Sequence, residues 1–301
     1  MGYAQVCEKN KGMGENMKTK IAMVLLCVSF FAQAEIKHVF IAADESRQQL
    51  HYVNEYAPEK NWTVKNKGGR DIWFLSDERF LASFPGGYRV YDVESGALIK
   101  EIKLCSPKNR NFSVGYFKGH IYFAGEKTIY EMDENDEILR EIPINAGKFF
   151  RIMRMTDEGG FLFTSDLQKI REVDNNGALV QEFDLAPVGK WVRKLYGAVR
   201  VPNGNTLVST GGGQRVVEFD KKAEIVREFP AKKSLDFKLF FFSGIVPLAN
   251  GNVVVSHWTG HEKDAGKKAP QILEFDKKGK LVWQWHDPET AGSIHGVIVL
   301  K

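Results

Sequence analysis

The chain repeats one two-strand phrase six times, and this repeat limits the possible folds more than any other feature. In each copy an alternating apolar strand ends at an acidic residue or Asn, a turn follows, and a second strand begins. The spacings between successive end residues are 40, 39, 41, 46 and 56, close to the roughly 40 to 45 residues of a four-stranded propeller blade. These end residues are Asn54, Glu94, Asp133, Asp174, Asp220 and Asp276.

A second hairpin precedes this phrase in each unit, and the fifth unit shows it best. The segment that starts at Tyr196 reads YGAVRVPNGNTLVST, in which two β-rich runs are joined by a turn-forming cluster at residues 202–205. Each unit is therefore predicted to contain four short antiparallel strands, a to d. No stretch after residue 34 has the 3.6-residue periodicity of an amphipathic helix.

The ends of this region predict how the units close on one another. The first unit starts at Lys37 and lacks strand a, whereas residues 293–301 match strand a and then stop. A ring closed in this way leaves no long exposed sheet edge. We therefore predict an all-β fold: a six-bladed β-propeller of four-stranded antiparallel blades, closed by the C-terminal strand completing the first blade.

Residues 1–34 differ from the rest of the chain. Met17 opens MKTKIAMVLLCVSFFAQA, with a positive start, an apolar run over residues 21–31 and a cleavage pattern that ends at Ala34. This is the layout of a secretory signal peptide, and the run is too short to span a bilayer. We expect residues 1–34 to be an N-terminal extension plus a cleaved signal peptide, with the true start at Met17, and residues 35–301 to be a single propeller domain. Cys27 leaves a lipoprotein open as an alternative.

Composition and charge exclude several classes of protein. The chain has 301 residues, with 42 basic and 38 acidic side chains and three cysteines, of which only Cys105 follows residue 34. A formal charge of +4 with interspersed signs is not the footprint of a nucleic-acid-binding protein, and no Cys/His spacing suggests a metal site. We expect an exported monomer, periplasmic or extracellular, with no membrane span, no cofactor, no metal and no nucleic-acid partner.

Two segments carry a family resemblance. NGNTLVSTGGGQRVVEFD, from residue 203, and ANGNVVVS with ILEFDKKGKLVWQW, from residues 249 and 272, resemble the repeats of NHL, pyrroloquinoline-quinone-like and arylsulfotransferase-like β-propellers. The resemblance covers residues 37–301 and implies the fold without choosing an activity. Such propellers include lactonases, lyases, sulfotransferases, sugar-binding modules and scaffolds.

Topology places the candidate site on the top face, where the d-to-a and b-to-c connections lie. The only long connection there, residues 256–270, begins with two imidazoles and an indole. Basic and aromatic residues also cluster where the a strands begin, and paired guanidinium donors are suited to anions. Trp191 and Trp258 offer stacking faces. The candidate ligand-binding residues are Arg70, Asp71, Arg110, Lys148, Arg151, Lys190, Trp191, Arg193, Tyr196, His257, Trp258, His261 and His295.

These residues indicate a cationic, aromatic-lined channel on the top face. We expect an exported binding module for a small anionic or carbohydrate-like ligand, or for a protein partner. The alternative is an enzyme acting on an anionic substrate. An arylsulfotransferase-like mechanism would require a channel histidine as nucleophile, for which His295 is the best candidate. A lactonase-like hydrolase is less favoured, because its metal site would require converging carboxylates. Equally open is a purely structural role, in which the arginines pair with acids such as Asp71 and Asp166 and join the blades.

Overall fold

Six four-stranded antiparallel sheets make up the structure. The computed structural model describes residues 35–105, 112–125, 127–145, 147, 150–166, 168–189, 194–231 and 235–301. Within these residues the only helices are short 3-10 turns at Pro58–Lys60, Ala186–Val188 and Ala265–Lys268. Strand a of each blade contacts strand a of the next blade around the whole circle. The predicted six-bladed β-propeller is therefore confirmed.

Strands are numbered in chain order, and each blade is described from strand a to strand d. Blade 1 contains Ile294–Val299 (β24), Val39–Asp44 (β1), Gln49–Asn54 (β2) and Trp62–Lys65 (β3). Blade 2 contains Ile72–Phe74 (β4), Arg79–Phe84 (β5), Gly87–Asp92 (β6) and Leu98–Lys103 (β7). Blade 3 contains Ser113–Phe117 (β8), His120–Ala124 (β9), Thr128–Met132 (β10) and Ile138–Pro143 (β11).

The other three blades follow the same order. Blade 4 contains Met153–Met155 (β12), Phe161–Ser165 (β13), Lys169–Val173 (β14) and Leu179–Asp184 (β15). Blade 5 contains Gly197–Arg200 (β16), Thr206–Ser209 (β17), Val216–Phe219 (β18) and Ile225–Phe229 (β19). Blade 6 contains Phe241–Pro247 (β20), Val253–Trp258 (β21), Ile272–Phe275 (β22) and Leu281–Trp285 (β23).

The recurrent acid between strands c and d shapes the turn. Asp174 accepts hydrogen bonds from the backbone N–H groups of Asn176 and Ala178, at 2.8 and 2.9 Å, and the same pattern recurs in blades 3, 5 and 6. This Asx geometry explains why a short acid is required. In blade 2 the predicted end residue Glu94 is wrong: Asp92 occupies that position, and its turn is one residue longer.

A second recurrent acid lies two residues earlier on strand c. These glutamates form ion pairs with a neighbouring strand or blade, because a carboxylate removed from water requires a partner. Two of the pairs join adjacent blades: Glu172 with Arg200, and Glu274 with His38. The other two are Glu131, with His120 and Arg140, and Glu218, with Arg227.

The C-terminal strand closes the ring as predicted. Strand β24 pairs antiparallel with β1, from Phe40 opposite Val299 to Ala43 opposite Gly296. Apolar clusters fill the spaces between blades, as where Phe40 packs with Trp283 and Trp285 of blade 6. Among the residues that the structure describes, no helix has the length and apolarity required to cross a bilayer.

Candidate functional site

Several predicted site residues meet at the end of the ring where the a strands begin. This region is called the upper mouth below, and it comprises Glu45, Arg70, Arg151, Tyr196, Trp258, His261 and His295. Because the innermost strands of all blades start at the same end, residues at their starts converge although they are far apart in the chain. Glycine allows the close approach: a Cβ at Gly296 would lie 2.6 Å from the carbonyl oxygen of Arg70.

An aromatic stack surrounds His295. Its imidazole ring lies nearly parallel to Tyr196, with centroids 5.0 Å apart and planes at 11°, and to Trp258, at 5.6 Å and 25°. Phe241 contacts both of these flanking rings edge to face. One face of Trp258 is therefore occupied by His295, so the stacking surface that we expected Trp258 to offer a ligand is partly used within the protein.

His295 is buried, and one of its ring nitrogens has no hydrogen-bond partner among the described residues. The residue is 5% exposed, and its Nδ1 atom makes no hydrogen bond to any described residue. Burial, followed by the charges of Arg70, Arg151 and His261, holds the pKa of His295 well below its usual value. The ring is therefore neutral at pH 7. A desolvated, unpaired nitrogen costs folding free energy, which makes it a candidate contact for a ligand.

Two arginines and a second histidine lie near this neutral histidine. Arg70 donates to Glu45 Oε1 at 2.9 Å, and the exposed His261 lies 3.1 to 3.2 Å from both oxygens of Glu45. Arg151 and Arg70 line a small recess between blades 2 to 5, together with Gly68, Ser83, Phe84, Phe112 and Tyr196. Burial raises the pKa of Tyr196, and the charge of Arg70 partly opposes this rise. The recess therefore combines guanidinium groups with a neutral phenol.

Asp71 follows Arg70 in sequence, but its carboxylate is bound by residues of blades 3 and 4. It is 1% exposed, and Arg154 donates to both of its oxygens, at 3.0 and 2.8 Å. Ser113 and the backbone N–H of Val114 also donate to Asp71 Oδ2. These four hydrogen bonds satisfy the carboxylate, so Asp71 links blades 2, 3 and 4.

His257 and Trp258 belong to strand β21, so the predicted long loop begins at Thr259 rather than at residue 256. Strand alternation sends the two side chains to opposite faces. His257 is fully buried: Nδ1 donates to the carbonyl of Pro270 at 2.7 Å, and Nε2 accepts from the N–H of Phe240 at 2.8 Å. Burial lowers the pKa of His257 to about 4.

Five predicted site residues lie outside the described residues: Arg110, Lys148, Lys190, Trp191 and Arg193. Within the described part of the chain, no group of three His, Cys, Asp or Glu side chains is arranged to hold a metal ion. Cys105 is partly buried at the end of blade 2, where burial raises the pKa of its thiol.

Glu45 and Arg154 make important contacts in this region and were not predicted from the sequence. Glu45 immediately follows strand b of blade 1, and this place on a top-face connection is the feature of the sequence that could have identified it. Arg154 lies within strand a of blade 4, where nothing in the sequence reveals a partner 83 positions away.

Comparisons with known proteins show the class of fold. A protein of unknown function from Bacteroides caccae has a TM-score of 0.72 and 21% identity, covering 88% of this chain and 100% of its own. A histidine-to-alanine, catalytically inactive variant of virginiamycin B lyase from Staphylococcus aureus, with quinupristin, has a TM-score of 0.57 and 14% identity, covering 86% of this chain and 89% of its own. A nidogen/laminin complex has a TM-score of 0.61 and 12% identity, covering 87% of this chain and 98% of its own.

These likenesses support a six-bladed β-propeller and leave the finer resemblance to NHL, pyrroloquinoline-quinone-like or arylsulfotransferase-like families unconfirmed. No protein-family model and no curated protein matches the sequence.

Proposed function

We propose that this propeller is a binding module that holds a small anionic ligand at its upper mouth. The proposal depends mainly on His295, a buried imidazole that lies between two aromatic rings. One of its nitrogens, Nδ1, has no partner in the part of the chain that the structure describes. Proteins rarely leave such a group without a hydrogen bond, and a ligand would supply one. A purely structural histidine would be expected to resemble His257, with both nitrogens bonded.

The charge of the neighbouring groups favours an anion. Arg70, Arg151 and His261 act on His295 electrostatically, so their charges reach the same space. A guanidinium group binds a carboxylate or sulfate through directed hydrogen bonds, and a partly enclosed recess strengthens the attraction. Neutral His295 adds one donor and one acceptor, which suit the hydroxyl groups of an acidic sugar. The ligand class is therefore a small, hydroxylated anion.

Replacement of either His295 or Arg151 by alanine tests this proposal. We expect each variant to lose at least about tenfold in affinity for D-glucuronate or 4-nitrophenyl sulfate, because a charge-assisted hydrogen bond contributes about 1.5–3 kcal/mol. The measurement is isothermal titration calorimetry, with D-glucose as the neutral comparison. Arg79→Ala is the matched control, since Arg79 is exposed at the opposite end of strand b. Strong destabilisation of the two site variants, with unchanged affinity, would favour a structural role instead.

An enzyme acting on an anionic substrate is the second candidate, and the neutral, unpartnered His295 favours it. Such a ring is in the correct protonation state to act as a nucleophile or proton acceptor. In the catalytically inactive variant of virginiamycin B lyase, one histidine is replaced by alanine. This supports a catalytic role for a histidine in a propeller. Release of 4-nitrophenolate from 4-nitrophenyl sulfate, with phenol as acceptor, would support a sulfotransferase-like activity. No release by wild type would favour the binding module.

Export is part of the proposal. The signal-peptide pattern of residues 17–34 supports a mature protein that begins after Ala34 and acts in the periplasm or outside the cell. N-terminal sequencing of the protein from the exported fraction tests this directly. An intact N-terminus in the cytoplasmic fraction would contradict it.

A further inference from the structure

Glu45 occupies the upper mouth with its own carboxylate. It follows strand β1, and its side chain is held by groups from blade 2 and blade 6. Arg70 donates to Oε1 at 2.9 Å, the indole N–H of Trp258 donates to Oε2 at 3.3 Å, and His261 Nδ1 lies within 3.2 Å of both oxygens. The side chain of Glu45 is 16% exposed. Donors from two blades therefore converge on one carboxylate.

The donor arrangement indicates which anion it fits. Arg70 and Trp258 each contact a different oxygen of Glu45, and His261 lies between the two. This is the pattern of hydrogen bonds that a planar, two-oxygen anion accepts. Two of these donors, Arg70 and His261, also act electrostatically on His295, so a ligand bound beside His295 would meet the same charges.

Glu45 can leave these donors by side-chain rotation alone. Its backbone N–H donates to the carbonyl of Ser293 at 3.0 Å, which fixes the main chain against strand β24. The side chain has flexible single bonds, and its ion pairs lie partly in solvent, where such pairs are weak. A ligand that provides its own carboxylate would therefore displace Glu45 at small cost and leave the backbone in place.

We propose that Glu45 is an internal counter-ion: its carboxylate occupies the position that the ligand's carboxylate takes in the complex. A carboxylate-bearing ligand therefore displaces Glu45 from Arg70 and His261. This inference rests on the proposed function and narrows its ligand class from anions in general to carboxylates. It also assigns a specific role to Glu45: the residue competes with the ligand instead of contacting it.

The test is the affinity of Glu45→Gln for D-glucuronate, measured by calorimetry. Removal of a competing negative charge at hydrogen-bond distance from Arg70 is expected to tighten binding about twofold to fivefold, in line with the small cost of displacing a partly exposed ion pair. D-glucose should show no gain, and inorganic sulfate a smaller gain than D-glucuronate. In an Arg70→Gln background the same substitution should give a smaller gain, because the strongest of the contested donors is absent and only His261 and Trp258 remain.

The possible results separate this inference from the proposed function. Wild-type binding of D-glucuronate with equal or weaker binding by Glu45→Gln would overturn the counter-ion role and leave the binding module intact. An equal or larger gain for sulfate would overturn the carboxylate class. Failure of both proteins to bind any anion would overturn both proposals. If Glu45→Gln does not fold, Glu45→Asp replaces it: its shorter side chain withdraws from Arg70, and a gain is again expected.

Discussion

Two histidines near the upper mouth are both buried but differ in how their nitrogens are satisfied. His257 donates from Nδ1 and accepts at Nε2, so the neutral ring is complete within the protein. His295 has an unpartnered Nδ1 among the described residues, and burial, followed by the charges of Arg70 and Arg151, opposes its protonation. The first arrangement stabilises the fold, because every polar atom is paired. The second leaves a hydrogen-bonding site that a ligand can complete.

The pKa of His257 predicts a loss of stability in acid. Its folded pKa of about 4 lies below the ordinary value of 6.5, so the unfolded chain binds the proton first as pH falls. The stability that depends on neutral His257 is present above pH 6.5 and decreases toward pH 4. Between pH 7 and 4.5 this loss is about 2–3 kcal/mol. Urea unfolding at both pH values should show this loss in wild type and a smaller one in His257→Gln.

A matched control separates His257 from general acid effects. His261→Gln changes a nearby histidine whose side chain is 70% exposed, so comparing the two variants separates the loss of buried His257 from the loss of any histidine. Equal slopes for wild type and His257→Gln would contradict the assignment. The sequence could not distinguish His257 from Trp258 or His261 as site residues, because all three follow one another closely. Only the strand register shows that His257 points away from the stack.

At the scale of elements, strands from three blades are tied by one buried ion pair. Asp71, just before β4, is bidentate with Arg154 of β12 and also accepts hydrogen bonds from the start of β8. The guanidinium carbon of Arg154 lies 4.6 Å from the ring centroid of Trp73, a cation–π contact that covers the pair from one side. The a strands of blades 2, 3 and 4 are therefore joined near the channel by charge as well as by packing.

Replacing one partner of this ion pair should lower the free energy of unfolding more than replacing both partners. Asp71→Leu or Arg154→Met alone leaves an uncompensated buried charge, and each should lower the free energy of unfolding by about 3–5 kcal/mol. The double variant should lose clearly less than the sum of the two, which urea unfolding of all four proteins can measure as a double-mutant cycle. Strict additivity would mean that the two side chains do not act as a pair.

Adjacent residues in an extended segment can have different roles. Arg70 and Asp71 are neighbours in sequence, yet Arg70 reaches Glu45 at the upper mouth while Asp71 turns inward to Arg154. Both were predicted as site residues because the sequence places the segment but not the side chains. Alternation of side chains about the backbone decides the direction, and the partners come from other blades.

At the scale of the whole molecule, the ends of the propeller meet in blade 1. The N–H of Val39 donates to the carbonyl of Lys301 at 2.9 Å, and His38 bridges Lys301 and Glu274 through its two ring nitrogens. Trp283 packs edge to face on His38, at 4.7 Å between centroids. Blade 1 is thus completed by the last strand and joined to blade 6 by the same residues.

Because the last strand completes blade 1, the protein should require this strand in order to fold. It should not require the strand to lie at the C-terminus of the chain. Deletion of residues 294–301 removes strand a of blade 1 and exposes its apolar contacts, so we expect loss of cooperative thermal unfolding by calorimetry. A circular permutant that joins residue 301 to residue 38 by a short Gly/Ser linker, and opens the turn at residues 203–204, should fold with a melting temperature within a few degrees of wild type. A folded deletion variant would contradict the closure.

The sequence alone determined the number of blades, their four strands and the closing strand, because each rests on local information: strand alternation, turn chemistry and a repeat of nearly constant length. Of the thirteen candidate residues, eight lie in the described part of the chain, and six of these meet at the upper mouth. Tertiary structure alone decided their roles. It stacked His295 between Tyr196 and Trp258, and it brought Glu45 against Arg70. Such contacts join residues up to 216 positions apart, as with Glu45 and His261, so their partners depend on how the blades pack.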